Sequence, residues 1–120
     1  MSYSSFLLKA VFIIFFLNGS FLATAQASQS FRGKCLLEVE GKKYINGSCD
    51  ISMHDDGSFQ VSKNNPPLTY FAQVSVTGKN VAEGNWNGEE GATHAHDPLG
   101  NLVRKGACWQ NKRVKVCAWK

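Results

Sequence analysis

The sequence predicts an all-β fold: a small antiparallel barrel or strongly curved sheet of seven to eight short strands, stapled by two disulfides. Three observations predict it. Polar and apolar residues alternate through Cys35–Met53, the period of a half-buried antiparallel strand. The apolar runs after residue 27 are short, Gly and Asn punctuate them, and none keeps a helical period for three turns. Four cysteines, Cys35, Cys49, Cys108 and Cys117, follow an N-terminal apolar run, the usage of an oxidising compartment.

That apolar run, Phe6–Leu17, is broken by Asn18-Gly19-Ser20 and falls short of the about 20 residues a spanning helix needs. Small residues follow, and A-x-A-like patterns end at Ala25 and Ala27. A cleavable secretory signal over 1–27 is expected, cleaved after Ala27 or, failing that, Ala25. The expected location is periplasmic or secreted, with no membrane anchor after cleavage. The remaining 28–120 make one β domain. So short a chain builds a modest core, which makes covalent staples valuable.

The first hairpin pairs Lys34–Glu40 with Tyr44–Met53 across Gly41-Lys42-Lys43. In that register Leu37 faces Gly47 and Cys35 faces Cys49. Cys35, Leu37, Val39, Ile45, Cys49, Ile51 and Met53 then share one face. The second hairpin turns at Asp55-Asp56-Gly57, a three-residue loop with glycine in the left-handed position. It sets Met53 against Phe59 and Ile51 against Val61.

After the loop Lys63–Pro67, the strand Leu68–Val76 directs Tyr70, Ala72, Val74 and Val76 to the core. A turn at Thr77–Asn80 leads into Val81–Asn87, where Ala82, Gly84 and Trp86 point inward and Gly84 leaves space for a bulky neighbour. Asp97-Pro98-Leu99-Gly100 matches a type I turn, with Asp first, Pro second and Gly fourth. The last hairpin centres on Lys112-Arg113, with either a two-residue or a wider loop, and sets Cys108 against Cys117 and Trp109 against Val116. The favoured disulfides are therefore Cys35–Cys49 and Cys108–Cys117. The alternative is crosslinking between the two hairpins.

Beyond residue 27 the chain carries 12 Lys and Arg (13 less Lys9) against 9 Asp and Glu, a net +3. That is too small an excess for a dedicated nucleic-acid binder. The basic residues gather at the end: Arg104–Lys120 holds six and no acid. Such a segment serves either as a solvated edge kept soluble by lysine or as a face for an anionic partner.

Chemistry concentrates in Trp86–Gly100. His94 and His96 are two apart, so an extended strand projects both from one face. They are the candidate metal ligands, for zinc or copper. Glu89, Glu90, Asp97 or the distant His54 is the candidate third ligand, although none stands at a diagnostic spacing. No catalytic constellation assembles. Glu89 and Glu90 are adjacent and would diverge on a strand. Oxidised cysteines are not nucleophiles, and no serine lies in a Gly-x-Ser-x-Gly elbow. Trp86, Glu89, Arg113, Lys115 and Trp119 are the candidate partner-binding residues. Trp119, beside the C-terminus on the polar face of its hairpin, has the best claim to accessibility.

The runs CLLEVEGKKYINGSC (Cys35–Cys49), WNGEEGATHAHDPLG (Trp86–Gly100) and GACWQNKRVKVCAW (Gly106–Trp119) resemble a set of small exported proteins of Gram-negative bacteria to which no activity is attached. The resemblance implies export and a bacterial source. In size, β content, signal and local disulfides the chain is also similar to periplasmic lysozyme inhibitors, small antiparallel barrels that block a lysozyme active site. That likeness is architectural and carries over no residues. The expected function is an exported, non-catalytic, inhibitor-like binding protein with an unidentified protein or glycan partner. The alternative is a periplasmic metal-binding module using His94 and His96.

Overall fold

The computed structural model describes residues 28–64 and 66–120; the signal segment expected over 1–27 lies outside them. Eight antiparallel strands close into a barrel in chain order, each paired with the next and the last with the first. They are β1 (Gln29–Val39), β2 (Lys42–Met53), β3 (Phe59–Asn64), β4 (Leu68–Gly78), β5 (Val81–Trp86), β6 (Asp97–Lys105), β7 (Cys108–Gln110) and β8 (Val114–Trp119). Closure leaves no sheet edge to satisfy, which suits a chain this small.

The interior follows the alternation. Leu37, Ile45, Ile51, Val61, Val74, Leu102 and Val116 are at most 1 % exposed, and Cys35, Cys49, Trp86, Leu99 and Trp109 join the same cluster. Gly84 admits Leu99 and Leu102, whose side chains come within 3.2 Å of where a Cβ would stand.

Both favoured disulfides form, Cys35–Cys49 and Cys108–Cys117. The first lies inside the barrel among the core residues. The second faces outward from the barrel wall, because Val114 and Val116 take the inward positions beside Cys117, yet Cys117 itself is fully covered.

Three local expectations need correction. In the first hairpin the turn is Glu40-Gly41, with φ of 54° and 83°, not Gly41-Lys42-Lys43. A two-residue turn with two positive φ values matches the strand twist better than a longer loop. Tyr44 is then the extra residue of a bulge, and Cys35 pairs with Gly47 while Gly33 pairs with Cys49. The slip is an even number of residues, so the buried face is unchanged. The disulfide runs diagonally, with Cα atoms 5.8 Å apart.

Asp97–Gly100 is not a turn but the start of β6. Asp97 pairs with Trp86 and Pro98 with Asn85, Leu99 is bulged, and Gly100 takes φ of 92°. Extension lets Leu99 reach the core, where it is fully buried, and that burial outweighs the turn preference of the tetrapeptide. Pro98 is tolerated because it sits at a strand start beside a bulge.

Third, Phe71 is buried although it lies between inward-facing residues on β4 and outside the interior cluster. It is covered from the outer side of the barrel, by the segment described next.

The second and last hairpins keep the expected registers. The last has the wider loop. Asn111 closes it, its Oδ1 accepting from the backbone N–H groups of Arg113 and Val114 at 2.9 Å each.

Candidate functional site

The connection from β5 to β6 spans Asn87–His96 and folds against the outer face of β4. Asn87 holds it there. Asn87 is 5 % exposed, the buried polar residue among those described. Its Oδ1 accepts from Phe71 N at 3.1 Å, and its own N–H donates to Phe71 O at 3.2 Å. Its Nδ2 donates to the carbonyls of Thr69, Glu89 and Ala92 at 2.9, 3.1 and 3.1 Å. The N–H of Gly91 adds a bond to Thr69 O at 2.9 Å. One amide thus stands in for a strand partner and ties the loop down as far as Ala92. Gly88, at φ 71°, allows the Asp97 carboxylate to press against its Cα where no side chain would fit.

This strap carries His94 and His96 into the same place. Their ring centroids are 5.2 Å apart at 50°. Both are exposed, and Thr93 Oγ1 lies 3.2 Å from His94 Nδ1. The rings form a ridge between two depressions. One, of about 570 Å³, includes Glu89 and Asp97 on its wall. The other, of about 630 Å³, is a groove between the strap and the outer faces of β3 and β4.

The candidate third ligands do not complete a centre. Among the described residues no three His, Cys, Asp or Glu side chains are grouped to hold a metal ion. His54 lies in the β2–β3 turn, at the opposite end of the barrel from the β5–β6 strap. Topology, invisible in spacing, separates it from His94 and His96.

The candidate partner residues divide. Trp86 is 7 % exposed. Its ring stacks among Tyr44 and Tyr70 at centroid distances of 4.6 and 6.0 Å, so it offers the core a large aromatic and offers a partner nothing. Arg113 is tied to Glu40 Oε2 at 3.1 Å and to Pro98 O at 3.2 Å. It positions the last hairpin against the neighbouring turns. Glu89 is exposed on the strap.

Lys115 and Trp119 point outward from β8 and belong to a larger face. The register sets Val81, Val103, Gln110 and Lys115 in one row across β5–β8. Lys105, Cys108, Cys117 and Leu36 form the next row, and Trp119 and Lys34 pair in a third. Val81, Val103 and Trp119 are 42, 48 and 44 % exposed and are the exposed large hydrophobics among the described residues. Around β8 the outer surface is cationic at Lys34, Lys105 and Lys115, with Glu38 beside Lys115, whereas Val81 and Val103 lie further round the barrel on β5 and β6. Sequence reading found Lys115 and Trp119. It missed Lys34, which only barrel closure brings beside Trp119.

Two disulfides, with no free cysteine among the described residues, fit an oxidising, extracytoplasmic compartment. No family model, no curated protein and no solved structure matches the chain. What the sites do therefore rests on their own geometry.

Proposed function

We propose that this chain is an exported, non-catalytic binding protein that engages an acidic protein surface, in the manner of an inhibitor. The observation that carries this reading is the outer surface around β8, where the exposed Trp119 pairs with Lys34 of β1, Lys115 lies on the same strand and Lys105 lies two strands away on β6. An exposed aromatic anchor among mostly cationic side chains is what a complementary partner desolvates and pairs. The barrel is stapled at this face by Cys108–Cys117, so little ordering cost accompanies binding. Export to a periplasmic setting is supported by the apolar leader and by the resemblance to small exported Gram-negative proteins.

The architectural likeness to periplasmic lysozyme inhibitors names the first partner to test. A lysozyme active site holds a carboxylate pair, the kind of target a cationic face suits. Titration against c-type lysozyme should show saturable inhibition that weakens with added salt. Inhibition should be lost in the variant Lys34→Glu, Lys105→Glu, Lys115→Glu. Unchanged lysozyme activity at high molar excess overturns the inhibitor reading.

A second reading, a zinc- or copper-binding module, is favoured by the His94–His96 ring separation. On a tetrahedral zinc with Zn–N of about 2.0–2.1 Å, two ligating nitrogens stand about 3.4 Å apart. Rings centred 5.2 Å apart meet that by small rotations. Calorimetry with each metal decides it. Binding that survives His94→Ala with His96→Ala removes the site.

A further inference from the structure

We propose that the groove between the Asn87–His96 strap and the outer faces of β3 and β4 is a binding site for a neutral oligosaccharide. Its walls carry Gln60, Ser62, Asn64, Gln73, Thr93 and His96 above a floor of Leu68 and Phe71. The chain has 22 Lys, Arg, Asp and Glu residues, yet none lines this groove. Apart from the imidazoles of His94 and His96, a charged ligand would find no partner here, whereas hydroxyl groups would find donors and acceptors on both walls.

The polar groups are held in place before any ligand arrives. Gln60 and Gln73 are register partners on β3 and β4, and Gln73 Nε2 donates to Gln60 Oε1 at 2.9 Å. That bond orients both amides and leaves the Gln60 N–H₂ group and the Gln73 carbonyl to face a ligand. A vicinal pair of sugar hydroxyls matches such an adjacent donor and acceptor. The segment that leads into the opposite wall is tied to β4 as far as Ala92 by the buried Asn87 amide. Prepaid ordering of this kind is what turns weak polar contacts into binding.

Shape narrows the class. About 630 Å³ lies within the range of small-ligand sites, roughly 300–1,000 Å³. The groove is open along the sheet, so a short chain of sugars can lie in it with its C–H face on Leu68 and Phe71. An extended peptide would normally join a sheet edge, and a closed barrel offers none.

This site is on another face of the barrel from Trp119 and the lysines, so the two proposals fail separately. The test is calorimetry and saturation-transfer NMR on the oxidised domain with chitotriose and maltotriose, and with an oligogalacturonate as the anionic control. At least one neutral trisaccharide should bind and shift the amide resonances of Gln60, Gln73 and Thr93–His96. Gln60→Ala with Gln73→Ala, and separately His96→Ala, should each weaken that binding tenfold or more. All three positions lie on the surface, and an unchanged amide spectrum elsewhere verifies the fold. Trp119→Ala should leave sugar binding unchanged. Absence of binding by both neutral sugars, shifts that map outside the groove, or equal binding of the anionic control overturns the proposal.

Discussion

The side chain of Asn87 lies across the backbone of Phe71, accepting from its N–H while the Asn87 N–H donates back to the Phe71 carbonyl. Asn87→Ala removes that acceptor and three donations to loop carbonyls. Leaving a buried N–H unpaired costs about 1–3 kcal/mol. The variant should lose about 2–3 kcal/mol in urea unfolding, and the strap amides should lose hydrogen-exchange protection before those of β1 and β2. Equal protection in variant and parent would show that the strap is held by something else.

Gly33 sits where β1 meets β8, and a Cβ there would strike the backbone carbonyl of Trp119 and come within 2.8 Å of the Ile51 side chain. Backbone cannot rotate aside as a side chain can. Gly33→Ala should therefore strain the seam that closes the barrel and cost about 3 kcal/mol, the upper part of the overpacking range. Gly84→Ala meets only the side chains of Leu99 and Leu102 and should cost less, about 1–2 kcal/mol. Thermal or chemical melts of the two variants check the order.

The two disulfides should differ in worth. They close segments with sequence separations of 14 and 9. Loop entropy then assigns about 3.0 and about 2.6 kcal/mol respectively. Cys35–Cys49 is also part of the core, so replacing both with Ala leaves a cavity. That double variant should be the more destabilised of the two by more than the entropic difference, measured by denaturant midpoints.

Asp56 should make the β2–β3 turn sensitive to acid. Its carboxylate is held below the ordinary value of 3.8, first because the Ser58 N–H donates to it and next because the Ser58 hydroxyl does. A depressed carboxylate stabilises the folded form in full above its unfolded value. That contribution is lost as pH falls through the lower, folded value. NMR titration of the Asp56 carboxyl should give a midpoint below 3.8, and Asp56→Asn should remove the acid-dependent shift of the Ser58 amide. A midpoint at or above the ordinary value contradicts the turn bond.

Much of this barrel is legible from residue types. The alternation in Cys35–Met53 named its inward face, and Cys108–Cys117 with Trp109–Val116 fell in register. The second hairpin was equally readable, because Asp55-Asp56-Gly57 has one favourable turn geometry. The site was less so. His94 and His96 do stand together, as a two-residue spacing implies. Nothing local, however, reveals that Asn87 clamps the loop carrying them, since its partners Thr69 and Phe71 are more than a dozen residues away.

By itself, then, the sequence determined the strand period and the set of side chains that seek the interior, and it favoured the cysteine partners that form. Each depends on which way a side chain leaves the backbone, a property of a few neighbouring residues. Tertiary structure alone decided that Asp97–Gly100 extends to bury Leu99 and that Tyr44 meets Tyr70 and Trp86 in one aromatic group. It also separated His54 from the other histidines and set Lys34 of β1 beside Trp119 of β8. Those outcomes depend on which strands become neighbours when the sheet closes, and closure is set by the burial and pairing of the whole chain together.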